Sequence, residues 1–259
     1  MKLGFIGTGH MASSIIKALK DNENYSFLLN NRTTSKAIAL KEEIGDRAKI
    51  LSIEDIVKES DYLFLGVKPT DLSELLNNIK DIPSHAAYVS MAAGYSIKEI
   101  ETIIGNKPII RIMPNTPVLV KEGTTFVCFN EEAKDRESFR NLMEETGRVY
   151  EIAEDMMDGA STIAGSGPAY LDYFIDAMAE VGQKMGFSKE KATEYILSMA
   201  KGTIKLDMES SKTPVELGKE VCSPGGSTIE GVNVFLNEGL YELTDRALMA
   251  SYNKNKKMK

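Results

Sequence analysis

The sequence predicts an α/β protein in two parts: a doubly wound sheet of parallel strands over residues 1–155, then an all-α part over residues 156–259. Three observations carry this. Short apolar runs alternate with amphipathic segments up to about Glu154, strand signals stop after about Asp155, and a glycine-rich turn follows the first apolar run directly.

The expected strands are Lys2–Ile6, Tyr25–Asn30, Ala48–Leu51, Tyr62–Val67, Ala87–Met91 and Ile109–Met113, with Thr124–Phe129 and Val149–Ile152 extending the sheet. Helical faces lie between them. Met11, Ile15 and Leu19 share one face, Leu72, Leu75, Leu76 and Ile79 another, and Ser96 followed by Glu99 reads as a capping box. The charged run from Glu131 to Thr146 reads as a helix stopped by Gly147. Beyond it helices are expected from Pro168 to Met185, closed by Gly186, and from Ser188 to about Glu209. Thr213-Pro214-Val215-Glu216 starts another, with an N-cap and a proline at the first helical position. That helix runs into Ser223-Pro224-Gly225-Gly226-Ser227-Thr228, and a final helical stretch follows from Thr228 to a basic tail, Asn253–Lys259, read as a solvated helix end.

A chain of 259 residues with 42% hydrophobic content can bury the cores of two ordinary domains. Its net charge of -7 offers no basic face for nucleic acid. Cys128 and Cys222 are too few for a disulfide framework, so a reducing cytoplasm is expected, with both thiols buried. Neither a signal peptide nor a membrane-spanning run is legible, and no cysteine–histidine spacing of the zinc type occurs, so no metal is expected.

The turn Gly7-Thr8-Gly9-His10-Met11-Ala12 is G-x-G-x-x-A between a strand and a helix, the Rossmann-type context for dinucleotide binding. Gly7 permits the tight turn, and Gly9 lets a diphosphate approach the unpaired amides of the helix start. The second strand ends in Asn31-Arg32-Thr33-Thr34 with no carboxylate for ribose hydroxyls. Arg32 either grips the 2′-phosphate of NADP, which favours NADPH over NADH, or is a solvated turn residue. Gly66-Val67-Lys68-Pro69 and Met91-Ala92-Ala93-Gly94 close two strands where ligands of open parallel sheets bind. Lys68 is either a ligand contact there or an exposed loop lysine. Pro114 and Pro117 bracket Asn115 in a loop that is either a place for a nicotinamide or simply a stiff turn, and Gly165-Ser166-Gly167-Pro168 is a turn that an interdomain hinge would also favour.

Gly225 and Gly226 expose amides, and Ser227 and Thr228 add hydroxyls at a helix start. This is either an anion site, suited to a substrate carboxylate, or a plain kink between packed helices. Only His10 and His85 are present, so a histidine acid for ketone reduction is hard to place. No lysine lies between Pro168 and Gln183 to serve as the interdomain acid of 3-hydroxyacid dehydrogenases. A protonated cyclic imine needs no such acid, because hydride addition to its carbon requires only positioning and exclusion of water.

Taken in order, GTGHMA, NNRTT, GVKP, SMAAG, MPNTP, GSGPAY and SPGGST resemble the pyrroline-5-carboxylate reductase family over nearly the whole chain. The resemblance implies NAD(P)H-dependent reduction of 1-pyrroline-5-carboxylate to L-proline, by a Rossmann domain and a helical substrate-binding and dimerisation domain. It implies a homodimer through the C-terminal helices, with further assembly of dimers up to a decamer. Ser223, Gly225, Gly226, Ser227 and Thr228 would hold the imino acid, Thr228 contacting the ring nitrogen as the catalytic group. Ile6, Gly7, Thr8, Gly9, His10 and Met11 would hold the cofactor with Asn31, Arg32 and Thr33. Val67, Lys68, Pro69, Met91, Ala92, Ala93 and Asn115 would line the rest of it. His10 stands where the family commonly has asparagine, Ala164 where serine or leucine is usual, and Ser227 where threonine is frequent. A reductase of a six-membered imino acid, a non-catalytic nucleotide-binding relative and a deazaflavin-dependent NADP reductase are the alternatives; the last has no use for SPGGST.

Overall fold

Eight strands join in one sheet in the order β3-β2-β1-β4-β5-β6-β7-β8, in a computed structural model that describes residues 1–257. The first half alternates β1 (Lys2–Ile6), α1 (His10–Leu19), β2 (Ser26–Asn30), α2 (Thr34–Ile44), β3 (Ala48–Ile50), α3 (Ile53–Glu59) and β4 (Tyr62–Leu65). It continues with α4 (Pro69–Ile79), β5 (Ala87–Ser90), α5 (Ile97–Ile104), β6 (Ile109–Pro114), β7 (Gly123–Phe129), α6 (Arg136–Glu144) and β8 (Gly147–Glu151).

Every neighbouring pair is parallel except β6–β7. The eight residues between β6 and β7 are too few for a helical crossover, so β7 returns antiparallel, with Ile112 opposite Val127. The order in which strands are added across the sheet reverses between β1 and β4, and that switch point opens a crevice at their carboxyl ends. Both faces are covered. Phe5 and Phe64 stack at 4.5 Å on one, with Phe139 tilted against Phe64, while Leu63, Leu65, Tyr88 and Ile100 fill the other. Strands buried on both faces read as unbroken apolar runs, which is why β4 is buried at all four positions.

Gly147 opens β8 at φ 137° instead of stopping a helix; α6 already ends at Glu144, and its N-cap Asp135 accepts the amide of Ser138. The capping box of Ser96 and Glu99 is present at α5.

After β8 come α7 (Met157–Ala160), a π-helical turn over Ser161–Gly165, α8 (Gly167–Lys184), α9 (Lys189–Glu209), α10 (Pro214–Val221), α11 (Ser227–Asn237) and α12 (Leu240–Lys256). The expected single helix after Thr228 is two, because Gly239 at φ 79° breaks it. Cys128 is buried as expected, but Cys222 is only half-buried, since it caps α10 at the break before α11. The chain forms two compact units. One runs from Met1 to Pro168 and takes in the end of the chain from Ser251; the other is Ala169–Ala250. The tail is not simply solvated: Asn255 is half-buried and bonded to the π turn, whereas Met258 and Lys259 of that predicted basic end lie outside the described residues. Among the described residues no helix is long and apolar enough to cross a membrane.

Candidate active site

In the first unit the crevice is built around a glycine contact. The Gly7 amide donates to the Asn30 carbonyl at 2.8 Å and the Gly66 amide to the Ile6 carbonyl at 2.8 Å, which locks the ends of β2, β1 and β4 together. A Cβ on Gly7, whose φ is +92°, would lie 2.5 Å from the Gly66 carbonyl oxygen, so neither strand end tolerates a side chain there.

Gly9 differs. It is the N-cap of α1, and a Cβ built on it meets nothing nearer than the Gly66 carbonyl oxygen at 3.8 Å. The protein's own packing does not require glycine at this position, so the missing side chain leaves room for a ligand. The first turn of α1 has neither a side-chain cap nor an acidic residue, and its amides and positive dipole end face outward beside His10, which is exposed. The Thr8 hydroxyl is buried without a hydrogen-bond partner, the one orphaned hydroxyl among the described buried side chains. It borders a cleft of about 470 Å³ between α1 and α2, lined also by His10, Ser13, Lys17 and Lys36. Open backbone at Gly9, free amides and an unsatisfied donor fit a dinucleotide diphosphate.

Around this loop the structure gathers most of the predicted cofactor residues at the carboxyl ends of neighbouring strands. Asn31 is already engaged: its Oδ1 accepts the Thr8 amide at 2.9 Å and its Nδ2 donates to the Thr33 carbonyl, so it shapes the loop. Arg32 is free to reach a ligand, since its side chain is 89% exposed and its nearest anion, Asp71, is 3.8 Å away. Thr33 is the N-cap of α2, whose first turn also lacks an acid. Val67 is half-buried, Lys68 is the exposed N-cap of α4 and Pro69 its first residue. Met91, Ala92 and Ala93 follow β5, with Ala92 buried and the other two half-buried. Gly66 stands inside the GVKP motif yet was not singled out as a site residue; the signal for it was the second glycine at a strand end beside the first.

Behind β6, Arg111 is 4% exposed and pairs with Glu154 at 3.0 Å, and the same carboxylate oxygen accepts the Ile97 amide at 2.7 Å. One acid thereby ties β6 to the start of α5.

In the second unit the helix break is real. α10 ends at Val221, the Gly226 amide donates back to the Ser223 carbonyl at 3.0 Å, Gly225 takes φ 71°, and α11 begins at Ser227 with Gly226 as N-cap. No side chain caps this start. Ser223, Gly225, Ser227 and Thr228 are exposed and Gly226 half-buried, with Glu230 the one acid of the first turn. Amides and two hydroxyls therefore face outward together, the donor set that a carboxylate needs.

The chain matches the family model for pyrroline-5-carboxylate reductase dimerisation over residues 154–258, and that for coenzyme F420-dependent NADP oxidoreductases over residues 2–94. A pyrroline-5-carboxylate reductase of Aquifex aeolicus is 31% identical over 261 residues, covering 100% of this chain and 97% of that protein. The chain belongs to the pyrroline-5-carboxylate reductase family. Pyrroline-5-carboxylate reductase 2 of Bacillus subtilis is likewise 31% identical, over 89% of this chain and 85% of its own. The crystal structure of the Streptococcus pyogenes 1-pyrroline-5-carboxylate reductase superposes with a TM-score of 0.90 at 30% identity, over 99% of this chain and 98% of that one. A Plasmodium falciparum pyrroline carboxylate reductase crystallised with NADP bound gives 0.88 at 28% identity, over 100% and 99%.

Proposed function

We propose that this chain reduces 1-pyrroline-5-carboxylate to L-proline with NADPH. The observation that carries the proposal is the uncapped break at Ser223–Thr228, where α11 starts with no side-chain cap and the Ser227 and Thr228 hydroxyls are exposed, in a chain of this family. When bound, NADPH supplies the hydride that adds to the iminium carbon. The chain's own residues bind and orient. Amides of the α1 start hold the diphosphate past Gly9, and Arg32 with Thr33 at the α2 start takes the 2′-phosphate, which favours NADPH while leaving NADH usable. Val67, Lys68, Pro69 and the Met91–Ala93 turn flank the remainder, and Ile6, Met11 and Asn31 shape the loop.

At the other motif Ser223, Gly225, Gly226 and Ser227 hold the ring carboxylate, and the Thr228 hydroxyl accepts from the protonated ring nitrogen, keeping the iminium charged and oriented. Substrate nitrogen already carries its proton, which agrees with a chain that has only two histidines, one in the glycine loop and one, His85, paired with Asp61.

The division into a nucleotide-binding part, 1–155, and a substrate and dimerisation part, 156–259, is supported by the dimerisation model starting at residue 154. A homodimer is supported by the second unit itself. Its only buried apolar side chains are Ala179 and Ala192, while Tyr173, Met185, Tyr241 and Met208 are 81%, 72%, 63% and 61% exposed. Such a surface needs a partner, and a second copy supplies it. Assembly of dimers into a decamer and a cytoplasmic location complete the reading.

The test is NADPH oxidation coupled to proline formation with wild type and Thr228→Ala, using five- and six-membered imino acids. Stoichiometric proline from the five-membered ring, a higher kcat/KM for it, and a loss of about 10- to 100-fold in the variant are expected. Preference for the six-membered ring would reassign the substrate, and an unchanged variant would remove Thr228 from the mechanism.

A further inference from the structure

Asn115 was expected at the nicotinamide, yet both ends of its amide are spent inside the first unit. Its Oδ1 accepts the Thr124 amide at 2.8 Å and its Nδ2 donates to the Ala164 carbonyl at 3.1 Å. The partners are one donor and one acceptor, so a single orientation of the side chain satisfies both, and the residue is only 7% exposed. Ala164 lies in the π-helical turn Ser161–Gly165, closed by the Ser166 amide on the Ser161 carbonyl at 2.8 Å.

A π turn is a rare insertion in a helical run, and its neighbours fix where it sits. Here it is held from two directions. Asn255, on the last turn of α12, donates to the Thr162 hydroxyl at 3.2 Å; Thr162 is 3% exposed and its hydroxyl itself donates to the Asp158 carbonyl at 2.9 Å. Two asparagine amides, 140 positions apart in sequence, thus grip the turn at its second and fourth residues, Thr162 and Ala164. The gripped segment leads straight into Gly165-Ser166-Gly167-Pro168, where the first unit ends.

We infer that Asn115 serves the reaction as a positioning residue and not as a cofactor ligand: it clamps the π turn to the end of β6, and Asn255 clamps the turn's far side. The inference rests on the reductase reading for its effect on rate, but not for the clamp.

Asn115→Asp tests it. One carboxylate oxygen still accepts from Thr124, while the other faces the Ala164 carbonyl with no proton to donate until the acid is protonated. Hydrogen exchange of the Ser161–Ser166 amides at pH 8 should quicken about tenfold relative to wild type, and protection should return near pH 5 after correction for intrinsic exchange. Turnover of pyrroline-5-carboxylate should follow: kcat down about tenfold at pH 8 and recovering as pH falls, with the KM for NADPH within about twofold of wild type. Unchanged exchange would overturn the clamp, and faster exchange with unchanged kcat would overturn its part in the reaction. A raised KM for NADPH at constant kcat would return Asn115 to the cofactor. The exchange measurement needs no substrate, so it stands even if wild type fails to turn over the imino acid. Should the aspartate variant not fold, Asn255→Ala keeps the test alive, with faster exchange of the same segment expected and unchanged exchange contradicting the clamp.

Discussion

Gly7 and Gly66 stand back to back at the ends of β1 and β4: a Cβ on Gly66 would lie 2.2 Å from the Gly7 carbonyl oxygen, and one on Gly7 2.5 Å from that of Gly66. The switch point of the sheet is therefore set by contact between two backbones. Gly66→Ala should cost about 3 kcal/mol or more, since backbone must shift to admit it. Gly9→Ala has room and an ordinary φ of -68°, so its stability should fall by no more than about 1 kcal/mol while NADPH binds about tenfold or more weakly. Urea unfolding and fluorescence titration of both variants separate the two roles; equal losses of stability would refute the distinction.

Arg32 contributes little to the fold, being 89% exposed and 3.8 Å from its nearest acid. Arg32→Ala should raise the KM for NADPH about tenfold more than that for NADH, at unchanged melting temperature. Parallel changes for the two cofactors would remove the 2′-phosphate from its account.

Burial pushes the Cys128 thiol up from an ordinary 9.0 to about 12, with the nearby Glu154 carboxylate adding to the rise and Arg111 opposing it. A neutral thiol is favoured in the folded chain, so its contribution is complete below pH 9 and is lost as pH rises toward 12. Over that window stability should fall by up to about 1.4 kcal/mol per pH unit from this group, in addition to any fall from Tyr25, whose phenol burial also raises. Cys128→Ala should start less stable but show a shallower slope; denaturant unfolding between pH 8 and 10.5 reads it, and an identical slope would contradict the burial argument.

The apolar surface of the Ala169–Ala250 unit predicts an assembly that a single charge can weaken. Tyr173→Glu, at a position 81% exposed within one chain, should shift sedimentation toward the monomer at micromolar concentration with helix content retained. A wild type that sediments as a monomer would remove the dimer from the account.

Much of this was legible in the sequence because it is local. Each strand is an apolar run bounded by turn residues, so β1 through β8 begin and end within one or two residues of the reading, and Gly7-Thr8-Gly9 announces a strand-to-helix turn by composition alone. What escaped the reading depends on distant partners. The π turn is bonded by the amides of Asn115 and Asn255, and Asn31 is engaged by the Thr8 backbone amide. The Gly239 break was missed for a different reason: one glycine between two helical patterns carries little signal, and only its φ of 79° reveals the stop. At Ser223–Thr228 the residues revealed the break, since glycine, serine and threonine after a proline are poor helix interior.

The central claim is that two uncapped helix starts divide the labour, α1 taking the diphosphate and α11 the ring acid. A crystal structure of the protein with NADPH and proline measures this most directly. The account predicts diphosphate oxygens within hydrogen-bond distance of the amides that follow Gly9, and the proline carboxylate within that distance of the Ser227 and Thr228 amides. Either ligand bound elsewhere, with its helix start left to water, would contradict it.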